Sequence, residues 1–157
     1  MSGRLASVER HRTGELLPSI LVIEDDSGHA AAIERSLESL RGSYRVRFAR
    51  SLREGRLAIA AEPPVLALAD MHLSDGRALE LLPGPQERSS FPILVLTSHG
   101  DERTAVQSIR AGALDYVVKS SESLSELPRT VERALREWRA VEDQLRAERA
   151  LRDSEER

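Results

Sequence analysis

Four short runs of apolar residues stand out along the chain, and polar or turn-forming residues flank each of them. They are ILVI at 20–23, VLALA at 65–69, PILVL at 92–96 and YVV at 116–118. Unbroken apolarity over a few residues is typical of strands that are buried on both faces, as in the middle of a parallel sheet. The segment YRVRFA at 44–49 alternates between polar and apolar residues. This alternation predicts a half-exposed edge strand.

Amphipathic stretches lie between these runs and predict helices. We expect four of them, at 27–41, 52–61, near 77–82 and 101–111. Ser27 is a suitable cap for the first helix, while Asp101 and Gly112 suit the start and the end of the fourth. Pro83 and Pro85 should end the third helix early. Five strands that alternate with helices predict an α/β fold, namely a doubly wound five-stranded parallel sheet with right-handed crossovers.

The two ends of the chain differ from this middle part. Residues 1–18 are polar and show no period, which predicts a disordered arm. From Leu127 onwards Glu, Arg, Ala and Leu dominate, which predicts a long helix. Its apolar residues recur at spacings of three and four, at Val131, Ala134, Leu135, Trp138, Val141 and Leu145. We therefore expect a domain at 19–138 and a helical linker or coiled-coil extension at 139–157, which either forms a homodimer or stands alone as a charged linker.

Composition narrows the functional classes. The formal net charge of -3 at pH 7 gives no general attraction to nucleic acid or to an anionic membrane. The chain has no cysteine, which excludes disulfides and thiolate metal sites. Its first residues lack the apolar run of a signal peptide, and no stretch has the length of a membrane-spanning helix. We therefore expect a cytoplasmic protein that binds neither nucleic acid nor membrane.

Polar residues directly follow each run of the predicted central sheet, where ligands bind in doubly wound folds. They are Glu24, Asp25 and Asp26 after ILVI, Asp70 after VLALA, Thr97 after PILVL and Lys119 after YVV. Carboxylates that converge in one crevice repel one another, and a hard divalent cation such as magnesium relieves that repulsion. Lys119 is the only lysine among 23 basic residues. A compact ammonium suits a narrow crevice better than a planar guanidinium does.

This set of groups predicts phosphoryl transfer. Asp70 would be the nucleophile that attacks phosphorus and forms an acyl phosphate. The metal ion, the Lys119 ammonium and the Thr97 hydroxyl would gather the phosphoryl oxygens, so that positioning and charge neutralisation supply most of the catalysis. The chain also contains histidines without ligand spacing, which we expect at the surface: His11, His29 and His99.

Four motifs make the chain resemble the receiver domains of response regulators over residues 19–138. They are ILVIEDD, LALADMHLSDG, ILVLTSHGDERTAV and IRAGALDYVVKS, in this order and spacing. The resemblance implies a flavodoxin-like sheet of order 2-1-3-4-5. It also implies two-component signalling, in which a phosphoryl group passes from a histidine kinase to an aspartate with the help of magnesium. Such a domain accepts phosphate and turns over no external substrate.

The resemblance implies a role for individual residues as well. Asp70 would be the phosphoacceptor. Magnesium would be held by Glu24, Asp25, Asp70 and the backbone carbonyl of His72, with Asp26 as an accessory acid. The residues that bind the phosphoryl group or switch with it would be Thr97, Ser98, Tyr116 and Lys119. Tyr116 also suits plain core packing.

Four positions depart from the family pattern. Ser120 stands where a proline usually follows the lysine through a cis bond, so this peptide bond is either cis or trans here. Ser74 stands where proline is common, and Ala78 where glycine is common. His72 is bulky for its position, which predicts slower attack by water and a longer-lived phosphoryl group. These changes bear on loop geometry more than on chemistry.

The expected partners are a sensor histidine kinase or a phosphotransfer protein. The closing ALRDSEER resembles the lead-in to a PAS domain, which suggests the N-terminal part of a longer signalling protein with a PAS, kinase or cyclase output domain. Three alternatives stay open. One is a magnesium-dependent phosphatase, although His72 stands where its second acid is needed. Another is a flavin- or nucleotide-binding module, which the negative charge of EDDSGH opposes. The last is a degenerate receiver that acts unphosphorylated as an interaction or dimerisation module.

Overall fold

A computed structural model describes residues 16–84 and 87–156 of the chain. Its centre is a parallel sheet of five strands, β1 (Ser19–Ile23), β2 (Arg45–Ala49), β3 (Leu66–Asp70), β6 (Ile93–Thr97) and β7 (Asp115–Val118). Two short strands between them, β4 (His72–Leu73) and β5 (Gly76–Arg77), form an antiparallel hairpin that the sequence pattern did not predict. The strand order of the sheet is β2-β1-β3-β6-β7. The predicted doubly wound α/β fold and its 2-1-3-4-5 order are therefore confirmed. The predicted arm at 1–18 lies outside the described residues up to residue 15, but its end is ordered, because Leu17 is buried and the Pro18 carbonyl accepts the N–H of Arg45 at 2.8 Å.

The described residues contain five α-helices, which are α1 (Ser27–Ser36), α2 (Leu52–Ala61), α3 (Glu102–Ala111), α4 (Ser121–Ser125) and α5 (Leu127–Glu155). The long C-terminal helix is confirmed, and α2 has its predicted bounds. The predicted helix at 27–41 is wrong in length, because α1 ends at Ser36 and the chain then tightens into a separate 3-10 turn, Glu38–Leu40. The predicted helix near 77–82 is only a 3-10 turn, Ala78–Leu81, since the hairpin occupies the residues before it and Pro83 follows.

The helix caps differ in part from the predicted ones. Asp26, and not Ser27, caps α1, since its Oδ1 accepts the backbone N–H of His29 at 2.8 Å. Asp101 precedes α3 without a capping hydrogen bond from its side chain. Gly112 ends α3 as predicted, in the left-handed region with φ of 118°.

Strands β1, β3 and β6 are buried on both faces, and their alternate residues enter cores on opposite sides of the sheet. The prediction that YVV lies in the middle of the sheet is wrong, because β7 is an edge strand and is only partly buried. Ile20 and Val22 of β1 lie in the core that α1 and α5 cover, together with Leu68. Leu21 and Ile23 lie in the opposite core, towards α2. The continuous apolar runs of the sequence are therefore two interleaved faces of one sheet.

Helix α2 approaches the sheet closely at a glycine. A Cβ atom on Gly55 would lie 2.6 Å from Cδ1 of Ile23, so a larger residue would force the Ile23 side chain to move. The close approach holds α2 over the end of β1, just before the residues that follow this strand.

Helix α5 is joined to the domain by its first turns and by later contacts, in which Arg88 and Tyr44 take part. Leu127, Val131, Ala134 and Leu135 are buried against the sheet. Beyond them, the Arg88 guanidinium stacks 3.7 Å from the ring centroid of Trp138, and its Nε lies 3.1 Å from Glu142 Oε1. The apolar residues that come next on α5 are less covered, with Val141 42% exposed.

A polar network closes the edge of the sheet at β2. Arg45 forms an ion pair with Glu62 after α2, and its Nε donates to the Leu17 carbonyl at 2.8 Å. Arg47 donates to the carbonyls of Ala58 and Glu62, each at 2.8 Å, which ties β2 to the end of α2. This network explains why the edge strand carries two arginines on one face.

The network predicts an acid-sensitive contribution to stability. The hydrogen bond from Arg45 lowers the pKa of Glu62 below its usual value. A hydrogen bond from Ser19 and the charge of Arg47 lower this pKa further. Stabilisation by a carboxylate with a lowered pKa is present above the unfolded-state value of about 4.3 and is lost as the pH falls through the folded-state value. We expect Glu62→Gln to lower the urea midpoint more at pH 7 than at pH 3. Glu137→Gln on the exposed side of α5 is the matched control, and an equal loss for Glu62→Gln at both pH values would contradict the prediction.

Candidate functional site

The backbone at the carboxyl ends of the strands is held by hydrogen bonds that continue the sheet. The N–H of Glu24 donates to the Ala49 carbonyl at 3.0 Å, and the N–H of Lys119 donates to the Thr97 carbonyl at 2.8 Å. Residues that follow different strands are thus fixed at one edge of the sheet. Their side chains enter a common pocket because parallel strands end at the same edge.

Three carboxylates meet in this pocket. One carboxylate oxygen from each of Glu24, Asp25 and Asp70 lies within 4.8 Å of the other two. Glu24 and Asp70 are buried and Asp25 is half-buried. Such a cluster carries uncompensated negative charge unless cations offset it.

Lys119 supplies a positive charge inside the pocket. Its Nζ lies 2.9 Å from Asp70 Oδ2 and 3.5 Å from Glu24 Oε2, and its side chain is only 6% exposed. Burial by itself would lower the pKa of Lys119, but the hydrogen bond and the charge of Asp70, together with Glu24, outweigh burial and raise it. Lys119 is therefore a fixed ammonium against the Asp70 carboxylate.

Glu24 shows that one ammonium does not balance this pocket. Burial, followed by the hydrogen bond and the charge of Asp70, raises the pKa of Glu24 to about 7. Among residues 16–84 and 87–156, its buried Oε2 has no hydrogen-bond partner. A buried carboxylate oxygen without a partner, beside two further carboxylates, fits a hard divalent cation with oxygen ligands.

Asp26 does not join the three carboxylates. Its side chain is 57% exposed and is engaged by the N-terminus of α1. The backbone N–H of His29 lowers the pKa of Asp26. The Asp26 carboxylate is therefore the cap of α1, a role that the sequence pattern assigned to Ser27.

The other predicted site residues lie in different environments. Thr97 is buried at the end of β6, whereas the neighbouring Ser98 is exposed. The N–H of His72 donates to Asp70 Oδ1 at 3.3 Å, while its exposed ring lies 3.5 Å from Asp101 Oδ2. Tyr116 is half-buried and packs against the core on the α2 side. Of these four residues, only His72 donates a hydrogen bond to Asp70.

The loops that depart from the family pattern have regular structure. The Lys119–Ser120 peptide bond is trans. The Ser120 hydroxyl accepts the N–H of Ser123 at 3.1 Å, so that serine caps the short helix α4 directly after the lysine. Ala78 is buried in the core on the α2 side, and Ser74 is exposed.

Sequence reasoning missed two residues near the pocket. His29, expected only as a surface residue, is half exposed, but its Nδ1 lies 3.2 Å from Lys119 Nζ. Asp75, in the hairpin after Asp70, accepts the N–H groups of Leu52 and Arg53 at 2.7 and 3.0 Å. These two bonds lower the pKa of Asp75 and tie the hairpin to the start of α2. The one sequence signal for His29 is its position three residues after Asp26, the N-cap, which puts it on the first turn of α1.

Three carboxylates and one lysine at the carboxyl edge of a five-stranded doubly wound sheet define the class of this protein, an α/β signalling domain of the receiver type. Comparison with known families agrees. The chain belongs to the response regulator receiver domain family, whose model matches residues 20–132. Its class is thus the receiver domain of two-component response regulators.

Several regulatory proteins are similar to this chain. The methanogenesis regulatory protein FilR1 of Methanothrix harundinacea is 39% identical over 127 residues, which cover 78% of this chain and 28% of that protein. The acid tolerance regulatory protein ActR of Rhizobium meliloti is 31% identical over 132 residues, or 83% of this chain and 67% of ActR. The chain therefore spans only part of the length of these relatives.

Solved structures show the same fold. The N-terminal domain of a response regulator/sensory box/GGDEF three-domain protein from Carboxydothermus hydrogenoformans is 30% identical, with a TM-score of 0.64 over 78% of this chain and 97% of that one. A response regulator receiver domain protein from Clostridium thermocellum is 22% identical, with a TM-score of 0.64 over 80% of this chain and 99% of that one. Within residues 16–84 and 87–156, no helix combines the length and the apolar composition that crossing a membrane requires.

Proposed function

We propose that this domain accepts a phosphoryl group on Asp70 and passes the resulting change of state to its C-terminal helix. The observation that carries the proposal is the Asp70 carboxylate, which lies at the carboxyl edge of the sheet with an ammonium 2.9 Å from one oxygen and two further carboxylates beside it. An aspartate held in this way is oriented for attack, and charge is already placed where a phosphoryl group would arrive.

In the proposed reaction, an oxygen of Asp70 attacks the phosphorus of a phosphohistidine on a sensor histidine kinase or a phosphotransfer protein. A P–O bond forms, the P–N bond breaks, and its electron pair stays on the imidazole nitrogen. Lys119 neutralises a phosphoryl oxygen, and the Thr97 hydroxyl and the neighbouring Ser98 meet the others. Tyr116, half-buried against the core, would change its packing when Thr97 engages the phosphoryl group.

Magnesium fits the carboxylates of this pocket. Glu24, Asp25 and Asp70 would hold it, together with the backbone carbonyl of His72. The Oε2 atom of Glu24 has no hydrogen-bond partner in the described part of the chain and is therefore available as a metal ligand. A bound magnesium ion would neutralise negative charge on the phosphoryl oxygens. The chain's own residues supply the nucleophile and the fixed ammonium.

We propose that α5 transmits the change of state that follows phosphorylation. This helix continues past the domain, and its apolar residues Trp138, Val141 and Leu145 would pair with a second copy of the chain in a short coiled coil. A further output domain in a longer protein is proposed by analogy with the three-domain protein from Carboxydothermus, whose receiver is followed by a sensory box and a GGDEF domain. The proposal places the domain in the cytoplasm, as a phosphate acceptor without turnover of an external substrate.

Intact mass after incubation with magnesium and acetyl phosphate tests the proposal. Attack by Asp70 on this donor breaks the P–O bond to acetate, so the chain should gain one phosphoryl group. Asp70→Asn should gain none, because an amide oxygen is a far weaker nucleophile than a carboxylate. Asp143→Asn on α5 is the matched control and should gain the group like the wild type.

Two results would contradict the proposal. Phosphorylation that persists in Asp70→Asn would place the acceptor elsewhere. No phosphorylation from either acetyl phosphate or a panel of phosphorylated histidine phosphotransfer proteins would favour an unphosphorylated interaction module.

A further inference from the structure

The Lys119 ammonium has three neighbouring acceptors. They are Asp70 Oδ2 at 2.9 Å, His29 Nδ1 at 3.2 Å and Glu24 Oε2 at 3.5 Å. An ammonium carries three N–H donors and no acceptor. Asp70 and His29 lie at hydrogen-bond distance from the ammonium, whereas Glu24 Oε2 is only an ion-pair neighbour. His29 is the neighbour that does not come from a strand end.

A hydrogen bond between Lys119 and His29 requires one arrangement of the ring. Because an ammonium only donates, Nδ1 would accept in this bond and the ring proton would lie on Nε2. The ring accepts a hydrogen bond from Lys119 without adding a negative charge to a pocket that already holds three carboxylates.

The first turn of α1 fixes the position of His29. The backbone N–H of His29 donates to Asp26 Oδ1 at 2.8 Å, and this bond is the N-terminal cap of the helix. Asp26 and His29 therefore form a chain of contacts from the helix end to the ammonium. Lys119 follows β7, the last strand of the sheet, so the contact joins the start of α1 to the carboxyl end of β7.

We propose that His29 is a positioning residue for phosphoryl transfer to Asp70, which accepts a hydrogen bond from Lys119 and holds the ammonium against the Asp70 carboxylate. The inference rests on the proposed function. A pre-placed ammonium meets the incoming phosphoryl oxygen without reorganisation, which is the condition under which a fixed charge accelerates a reaction. Without His29, one of the two hydrogen bonds that hold the ammonium would be lost, and the rate would fall.

Two substitutions separate the hydrogen bond from the bulk of the ring. His29→Leu keeps much of the bulk of the side chain but has no hydrogen-bond acceptor. In His29→Asn, the amide Oδ1 is an acceptor close to the position of Nδ1. We expect His29→Leu to lower the rate of phosphorylation by acetyl phosphate about tenfold, as for the loss of one hydrogen bond to a charged group. We expect His29→Asn to stay within about threefold of the wild type.

The single lysine allows a second measurement that does not depend on phosphorylation. Labelling with 15N-lysine yields one side-chain Nζ signal, because Lys119 is the only lysine in the chain. Its N–H protons should exchange with water faster in His29→Leu than in the wild type, and His29→Asn should restore slow exchange.

The two measurements distinguish the possible failures. Unchanged exchange and an unchanged rate in His29→Leu would overturn the inference, as would equal losses in His29→Leu and His29→Asn. A wild type that takes up no phosphoryl group would contradict the proposed function and remove the positioning role, while the Nζ signal would still show whether His29 holds the ammonium.

Discussion

Replacing Lys119 with arginine should lower the rate of phosphorylation of Asp70 about a hundredfold, although the positive charge is retained. The lysine side chain is only 6% exposed, and its Nζ fits between the carboxylates of Asp70 and Glu24. A guanidinium is planar and wider, so it must either push these carboxylates apart or turn away from them. In both cases the charge no longer stands where the phosphoryl oxygens arrive.

The measurement is the rate of mass gain from acetyl phosphate at saturating magnesium. Arg149→Lys, an exchange of the same two residue types at an exposed position on α5, is the control and should phosphorylate at the wild-type rate. Magnesium affinity by calorimetry shows whether the carboxylates are still in place. A wild-type rate for Lys119→Arg would mean that only the charge matters, and the shape of the ammonium would then have no role.

Ending the chain after residue 126 should abolish cooperative folding, whereas ending it after residue 143 should not. The shorter chain loses Leu127, Val131 and Leu135, which are buried between α5 and the sheet. Truncating one large buried side chain costs about 2–5 kcal/mol. Three such losses match the whole stability of a typical domain, about 5–15 kcal/mol.

The longer chain retains every buried residue of α5 together with the contacts of Arg88 to Trp138 and Glu142. We expect its urea midpoint to stay close to that of the full chain, and the shorter chain to show no cooperative transition by circular dichroism. Cooperative unfolding of the chain that ends at 126 would mean that α5 is an appendage, and that the domain boundary proposed at 138 lies too far along the chain.

The apolar pattern predicts most of the sheet, because residues buried on both faces have to be apolar without interruption. All five strands of the sheet appear where the pattern predicts them, and so does α2. The pattern does not predict the hairpin β4–β5, because each of its strands has only two residues and the hairpin is held by contacts with the start of α2. Asp75 in that hairpin accepts the N–H groups of Leu52 and Arg53, which lie more than twenty residues earlier.

The sequence by itself determined the fold class, the family and the set of polar residues at the strand ends, because each of these depends on residue type and on spacing along the chain. Only the tertiary structure decided which of these residues meet. It brought Glu24, Asp25 and Asp70 together, assigned Asp26 to the cap of α1, and placed His29 beside Lys119. Histidine and lysine stand 90 residues apart in that contact. No local pattern records a contact over such a separation, since it depends on how a helix end and a strand end are placed around the same edge of the sheet.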